Sequence, residues 1–244
     1  MKLYAYCLSD EITAGALESV TGLAGAPPRL VRCGKIAAVV SEIDAGQATV
    51  TRENVLAHEK IIRRVLATTT PLPFRFGNVV GEKQLQSYLE TQQDSLLAQL
   101  ERVRGCVEMS VKVIWDPEAI RLENEGLDAG AESAPPASLG SGTAFLLAKR
   151  REILGGEKLK ERAAELAAWL SESLKGSVRE ERVSLQPAES LVLTAAHLIE
   201  RVRLDEYRAA LGRVRSSRRE LHFLTSGAWP PYSFTSAGSE KAGS

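Results

Sequence analysis

The clearest alternation of apolar and polar positions in the chain is CVEMSVKVIWD, residues 106–116. Val107, Met109, Val111, Val113 and Trp115 fall on one side, and Glu108, Ser110, Lys112 and Asp116 on the other, with Ile114 out of pattern. A period of two over this length predicts a half-buried strand. A different period marks Glu82 to about Arg102, where Leu85, Leu89, Leu96, Leu100 and Val103 form one stripe and predict a helix ended by Gly105. Thr51 to Ala67 predicts a second helix, with Thr51 as its cap and Val55, His58, Ile62, Val65 and Leu66 on one face.

The remaining pattern extends this alternation of element types. KLYAYCL (2–8) reads as a strand, and Ser9-Asp10 as the cap of a helix over about 10–21. RLVRC (29–33) and KIAAVVSEI (35–43) flank Gly34 as a hairpin, and PLPFRFGNVV (71–80) is a Pro-rich approach to a short strand. A long helix is expected over about 142–175, with Gly155-Gly156 as its weak point and Leu159, Ala163, Leu166, Leu170 and Leu174 in register. Strands at 178–185 and 189–200, a helix through Leu204, Tyr207, Leu211 and Val214, and a strand at 220–226 complete the chain.

From residue 106 onward this order is strand, helix, strand, strand, helix, strand, which is the ferredoxin-like βαββαβ order. The first 80 residues admit a similar reading, resting on two weaker elements, the helix near 12–20 and the strand near 76. The expected fold class is therefore α+β with two domains. Residues 1–80 form an N-terminal α+β unit, 81–104 a connecting helix, and 105–235 a ferredoxin-like domain. Residues 117–140, acidic and then rich in Ala, Ser, Gly and Pro, read as a flexible insert, and 236–244 as a disordered tail.

Composition narrows the function classes. With 31 basic and 31 acidic residues among 244, the chain lacks the strong positive charge of a general nucleic-acid binder. The three cysteines, Cys7, Cys33 and Cys106, form no CxxC and no even framework, so neither a zinc site nor disulfides are expected and a reducing cytoplasm fits. The N-terminus is too short in apolar residues for a signal peptide, and no run is long enough to span a membrane.

Candidate chemistry is sparse. His58-Glu59 lacks the second histidine of HExxH, and Gly34-Lys35 lacks the earlier glycine of a phosphate loop, where Arg29 stands, and its Ser/Thr, where Ile36 stands. His58 falls on an apolar helix face, where a hydrogen-bonded core histidine is the simpler reading, and His197 and His222 fall in strands. The cluster Arg201, Arg203, Arg208, RVRSSRR (213–219) reads as cations near a helix end, since the strand that would stack bases, SLVLTAAHL, has no aromatic residue. No catalytic residue, metal site or cofactor is expected.

What stands out is aromatic material beside prolines. Phe74, Arg75 and Phe76 lie between a proline pair and Gly77 in PLPFRFG, and Trp229, Pro230, Pro231 and Tyr232 lie in SGAWPPYSF (226–234). Two readings apply together: the closing segment folds back to seal the last unit, and these seven residues form a surface for a hydrophobic partner.

With LYAYCL, PLPFRFGNVV, the Leu-striped helix, GCVEMSVKVIWD, SGTAFLLAKRRE and LTSGAWPPYSF in this order, the chain resembles the gas vesicle protein F/L family over essentially its whole length. The resemblance implies a non-enzymatic accessory or minor structural protein of gas vesicles, cytoplasmic or on the vesicle. Its implied partner is the small hydrophobic main shell protein, and other gas vesicle accessory proteins besides, with no nucleic acid and no membrane. It implies two α+β domains, one a modified ferredoxin-like fold, and no catalytic residues. The rival reading is a small-molecule sensor or enzyme with a pocket between the two units, lined by His58, His197 or Arg75.

Overall fold

The computed structural model describes residues 2–44, 46–115, 141–185, 191–218 and 220–236. The insert at 117–140 and the tail beyond 236, for which flexibility is expected from composition, lie outside the described residues. The protein mixes helices and sheets, in agreement with the α+β class. Its chain separates into two units, Met1–Glu108 with Gly227–Ser244, and Met109–Ser226. The segment from Gly227 onward therefore belongs with the first unit, whereas the sequence pattern places it at the end of the second.

The first unit is built on strand β1 (Lys2–Ser9), which is buried except at Lys2. It pairs antiparallel with β3 (Ile36–Ile43), and β3 pairs antiparallel with β2 (Pro28–Cys33), so the expected hairpin forms around Gly34. On its other side β1 pairs with two short strands, β4 (Leu72–Pro73) and β5 (Val79–Val80). These replace the single strand expected at 74–80. Proline has no N–H to donate, and Gly77 turns the chain at φ 91°, so pairing is interrupted between them. Backbone bonds from Phe74 N–H to the Tyr6 carbonyl (2.8 Å) and from Ala5 N–H to the Asn78 carbonyl (2.9 Å) keep the segment on β1.

Helix α1 (Arg52–Leu66) starts where expected, because the Thr51 hydroxyl accepts from the Asn54 N–H. It buries His58, Ile61, Ile62, Val65 and Leu66 against Tyr4, Tyr6, Cys7, Leu23 and Val39. The helix expected at 10–21 does not form: one 3-10 turn, Ala14–Leu17, stands in this stretch, and a second, Leu23–Gly25, follows it. Ile12, Ala16 and Leu17 are buried all the same. The Ile12 carbonyl accepts from Arg32 and the Ala16 carbonyl from Arg64, so distant side chains supply the bonds a helix would have made. The helix expected at 82–102 is two, α2 (Glu82–Thr91) and α3 (Gln93–Val103), broken at Gln92 (φ −101°, ψ 9°). Its leucine stripe is buried throughout.

In the second sheet the order is β7-β8-β6-β9, with β6 at Cys106–Trp115, β7 at Glu180–Leu185, β8 at Leu191–Glu200 and β9 at Leu221–Trp229. Helix α4 (Ser141–Leu174) runs through Gly155-Gly156 without interruption and buries Ala163, Leu166, Leu170 and Leu174. Helix α5 (Leu204–Ser217) buries Tyr207, Ala210, Leu211 and Val214. Val107, Met109, Val111 and Val113 of β6 are buried as the alternation requires, but so is Glu108 on the polar side, at 6% exposure.

Candidate functional site

The two aromatic-proline segments, 150 residues apart in sequence, meet at one histidine. The β1 alternation turns Tyr4 and Tyr6 to the helix side, where α1 presents His58. The Tyr4 hydroxyl lies 2.9 Å from His58 Nδ1 and accepts from the Gly77 N–H at 3.1 Å. Phe76 packs on the same imidazole at 5.7 Å between ring centres, and the Tyr232 hydroxyl approaches Nε2 at 3.5 Å while donating to Glu59 at 3.3 Å.

Burial in this cage lowers the His58 pKa from 6.5 to about 4, against a smaller opposing effect of the Phe74 backbone. His58 is therefore neutral near pH 7 and behaves as a core histidine. Burial likewise raises the Tyr4 and Tyr232 pKa values, helped in Tyr232 by the Glu59 carboxylate.

The closing segment is fastened within the first unit at Trp229, Ser233, Phe234 and Ser236. Arg63 stacks over Trp229 at 5.6 Å. Ser233 donates to the buried Glu108 carboxylate from both its N–H and its hydroxyl, each at 2.7 Å. Arg102 donates to the Phe234 carbonyl at 2.8 Å, and Ser236 to Gln99 at 3.0 Å. Phe234 itself is 1% exposed. Sequence alternation assigns Glu108 to solvent, and no local signal names Ser233 as its partner.

Of the seven residues singled out by sequence, Phe74, Pro230 and Pro231 are buried. Phe76, Trp229 and Tyr232 are half-buried and Arg75 is exposed. Phe76 and Tyr232 pack on the same core cluster, so that part of the set is brought together.

His197 sits in the second unit with a separate network. Its Nδ1 bonds the Tyr207 hydroxyl at 2.8 Å and its Nε2 the Glu181 carboxylate at 3.1 Å, which also accepts from Ser171 at 2.5 Å. Burial lowers its pKa while Glu181 acts the other way. His222 is exposed. Each buried histidine thus serves a hydrogen-bond network within its own unit. Three arginines of the cluster are engaged locally: Arg203 with Glu206, Arg208 with Asp205, and Arg218 with Glu220 and over Trp169. Among the described residues no group of acidic, cysteine and histidine side chains has the arrangement of a metal site, and no helix is long and apolar enough to cross a membrane.

The profile of the family described as gas vesicle synthesis protein GvpL/GvpF matches residues 2–236. The chain belongs to this family. Curated GvpL/GvpF relatives include gas vesicle protein L2 of Halobacterium salinarum, 27% identical over 95% of this chain and 90% of its own length. Gas vesicle protein L of a Streptomyces species is 27% identical, over 97% and 94%. Gas vesicle protein F of the same Streptomyces is 25% identical, over 96% and 99%.

The crystal structure of GvpF from Anabaena sp. PCC7120 superposes with a TM-score of 0.79 at 20% identity, covering 96% of this chain and 97% of that one. GvpF from Microcystis aeruginosa gives 0.74 at 19%, covering 96% and 98%. The chain therefore has the GvpF fold and a gas vesicle-related role. The GvpL/GvpF family is named for gas vesicle synthesis rather than for a reaction.

Proposed function

We propose that the chain is a non-catalytic accessory protein that holds the small hydrophobic main shell protein of gas vesicles and assists its assembly, acting in the cytoplasm or on the vesicle. The observation that carries this reading is the GvpL/GvpF match over residues 2–236. The geometry supports it with a specific surface. Arg75, Phe76, Trp229 and Tyr232 reach solvent, while Phe74, Pro230 and Pro231 beneath them are buried and hold the backbone. Proline limits what the chain loses in freedom on binding, and half-buried aromatic rings beside an arginine are the composition of interface centres. Other gas vesicle accessory proteins are the remaining expected partners.

We also infer that the segment from β6 to β9 is ferredoxin-like. Its element order, strand-helix-strand-strand-helix-strand, and the sheet order β7-β8-β6-β9 favour that arrangement.

Co-expression tests the function. The shell protein is expected in the soluble fraction with the wild-type chain, and in the pellet with a folded Arg75→Glu, Trp229→Ser double variant. Equal aggregation of the shell protein with and without this chain would sink the proposal.

A further inference from the structure

Helix α1 has a second stripe that the core does not use. Glu53, Leu56, Ala57, Lys60, Arg63, Arg64 and Ala67 recur at threes and fours on the face away from Ile61, Ile62 and Val65. The chain from Glu18 to Gly25 runs beside this stripe, and the two border a pair of shallow, open clefts. One, of about 340 Å³, is lined by Leu56, Ala57, Thr21, Gly22 and Ala24, together with Glu53. The other, of about 470 Å³, is lined by Arg63, Arg64, Ala67, Ser19 and Val20, together with Glu18. Lys60 lines both, so they are neighbours along one helix. From Glu53 to Ala67 the helix rises about 21 Å.

The wall opposite α1 is anchored to the sheet at Gly22 and Leu23. Leu23 is fully buried and its N–H donates to the Tyr6 hydroxyl at 2.8 Å. Gly22 lies so close to the sheet that a Cβ there would stand 2.2 Å from the Tyr6 oxygen. The groove is also chemically divided. At one end Leu56 is 58% exposed, beside small residues. At the other, none of Lys60, Arg63 and Arg64 has an acidic partner among the described residues. Two of these cations are held in place, Arg63 over the Trp229 ring and Arg64 by the Ala16 carbonyl at 3.2 Å. In a chain with zero net charge this is a local concentration of positive charge that no carboxylate within ion-pair distance neutralises among the described residues.

We propose that this groove docks a segment of a protein partner in which an apolar residue, for the Leu56 end, is followed about a helical turn later by carboxylates, for Lys60, Arg63 and Arg64. Charge complementarity selects carboxylates for the cleft that Lys60, Arg63 and Arg64 line together, and the exposed Leu56 in the adjoining cleft, which shares Lys60, selects a peptide that carries an apolar residue beside them. The guanidinium groups are preorganised, so ordering them on binding costs little. The proposal rests on the reading of the chain as a binding protein and adds a second contact surface, with opposite requirements to the aromatic one.

The test is a nuclear magnetic resonance titration of the full chain, labelled with ¹⁵N, by a short synthetic peptide carrying one leucine and two glutamates at helical spacing. Amide shifts confined to residues 18–25 and 53–67 are expected. The same peptide with glutamines is expected to give none. Clearly weaker binding is expected for Lys60→Gln, an exposed side chain that makes no bond to another described residue, and for Leu56→Ser, with spectra otherwise unchanged. Absent or scattered shifts, equal binding of the glutamine peptide, or the same shifts from inorganic phosphate or an oligonucleotide would each overturn the groove as a peptide site. A failed titration with the shell protein still held soluble removes this inference alone. A failed co-expression with a successful titration removes the shell-protein reading alone.

Discussion

Replacing His58 by Phe converts the central cage into a pH experiment. In the folded protein burial depresses the His58 pKa to about 4, from 6.5 when exposed. Where a base titrates lower in the folded state, the unfolded chain binds more protons as pH falls. The stabilisation by neutral His58 is therefore complete above about pH 6.5, is lost progressively as pH falls toward 4, and changes no further below that. Taking 6.5 and about 4 as the two constants, the loss between about pH 8 and about pH 4.5 is about 2.5 kcal/mol. His58→Phe removes this linkage. It also removes the bond between the Tyr4 hydroxyl and Nδ1, which costs about 1–2 kcal/mol at neutral pH.

Urea unfolding of both proteins at the two pH values reads the effect. Carboxylates that titrate in the same range are common to both and cancel in the difference. The wild type is expected to be the more stable at pH 8 and to lose that advantage, or to fall below the variant, at pH 4.5. A wild-type advantage that is the same at both pH values would refute the reasoning, because the imidazole would then not be desolvated by the Tyr4, Tyr6, Phe76 and Tyr232 rings.

Three further perturbations probe the supports. Gly22→Ala drives a methyl to 2.2 Å from the Tyr6 oxygen and 2.6 Å from the Ser41 oxygen, so a loss of about 3 kcal/mol or an insoluble product is expected in thermal unfolding. Ser233→Ala deprives the buried Glu108 carboxylate of one of its two bonds from this residue, and a loss of about 1.5–3 kcal/mol is expected, together with easier proteolysis after Trp229. Tyr207→Phe leaves His197 Nδ1 without its 2.8 Å partner, and a loss of about 1–3 kcal/mol is expected by denaturant unfolding; an unchanged midpoint would mean that the Glu181–His197–Tyr207 chain carries no stability.

By itself the sequence determined most elements. Thr51, the α1 stripe, the five apolar positions of the helix after Glu82 and the alternation of β6 are each local signals of one period, and periodicity is set by which side of a helix or strand meets the core. The aromatic-proline segments were legible for a similar reason, since large apolar side chains beside prolines are conspicuous wherever they occur. Tertiary structure decided the rest. Residues 10–21 carry apolar spacing suited to a helix, yet Arg32 and Arg64 satisfy their carbonyls and packing alone buries Ile12 and Leu17. Glu108 reads as solvent-facing until Ser233, 125 residues away, supplies its donors. That His58 would join Tyr4, Phe76 and Tyr232 follows from no spacing, because bonds and ring contacts between distant segments leave no periodic trace. Neither does the return of residues beyond Trp229 to the first unit: alternation tells a strand which side to bury, not which core will receive the chain that follows it.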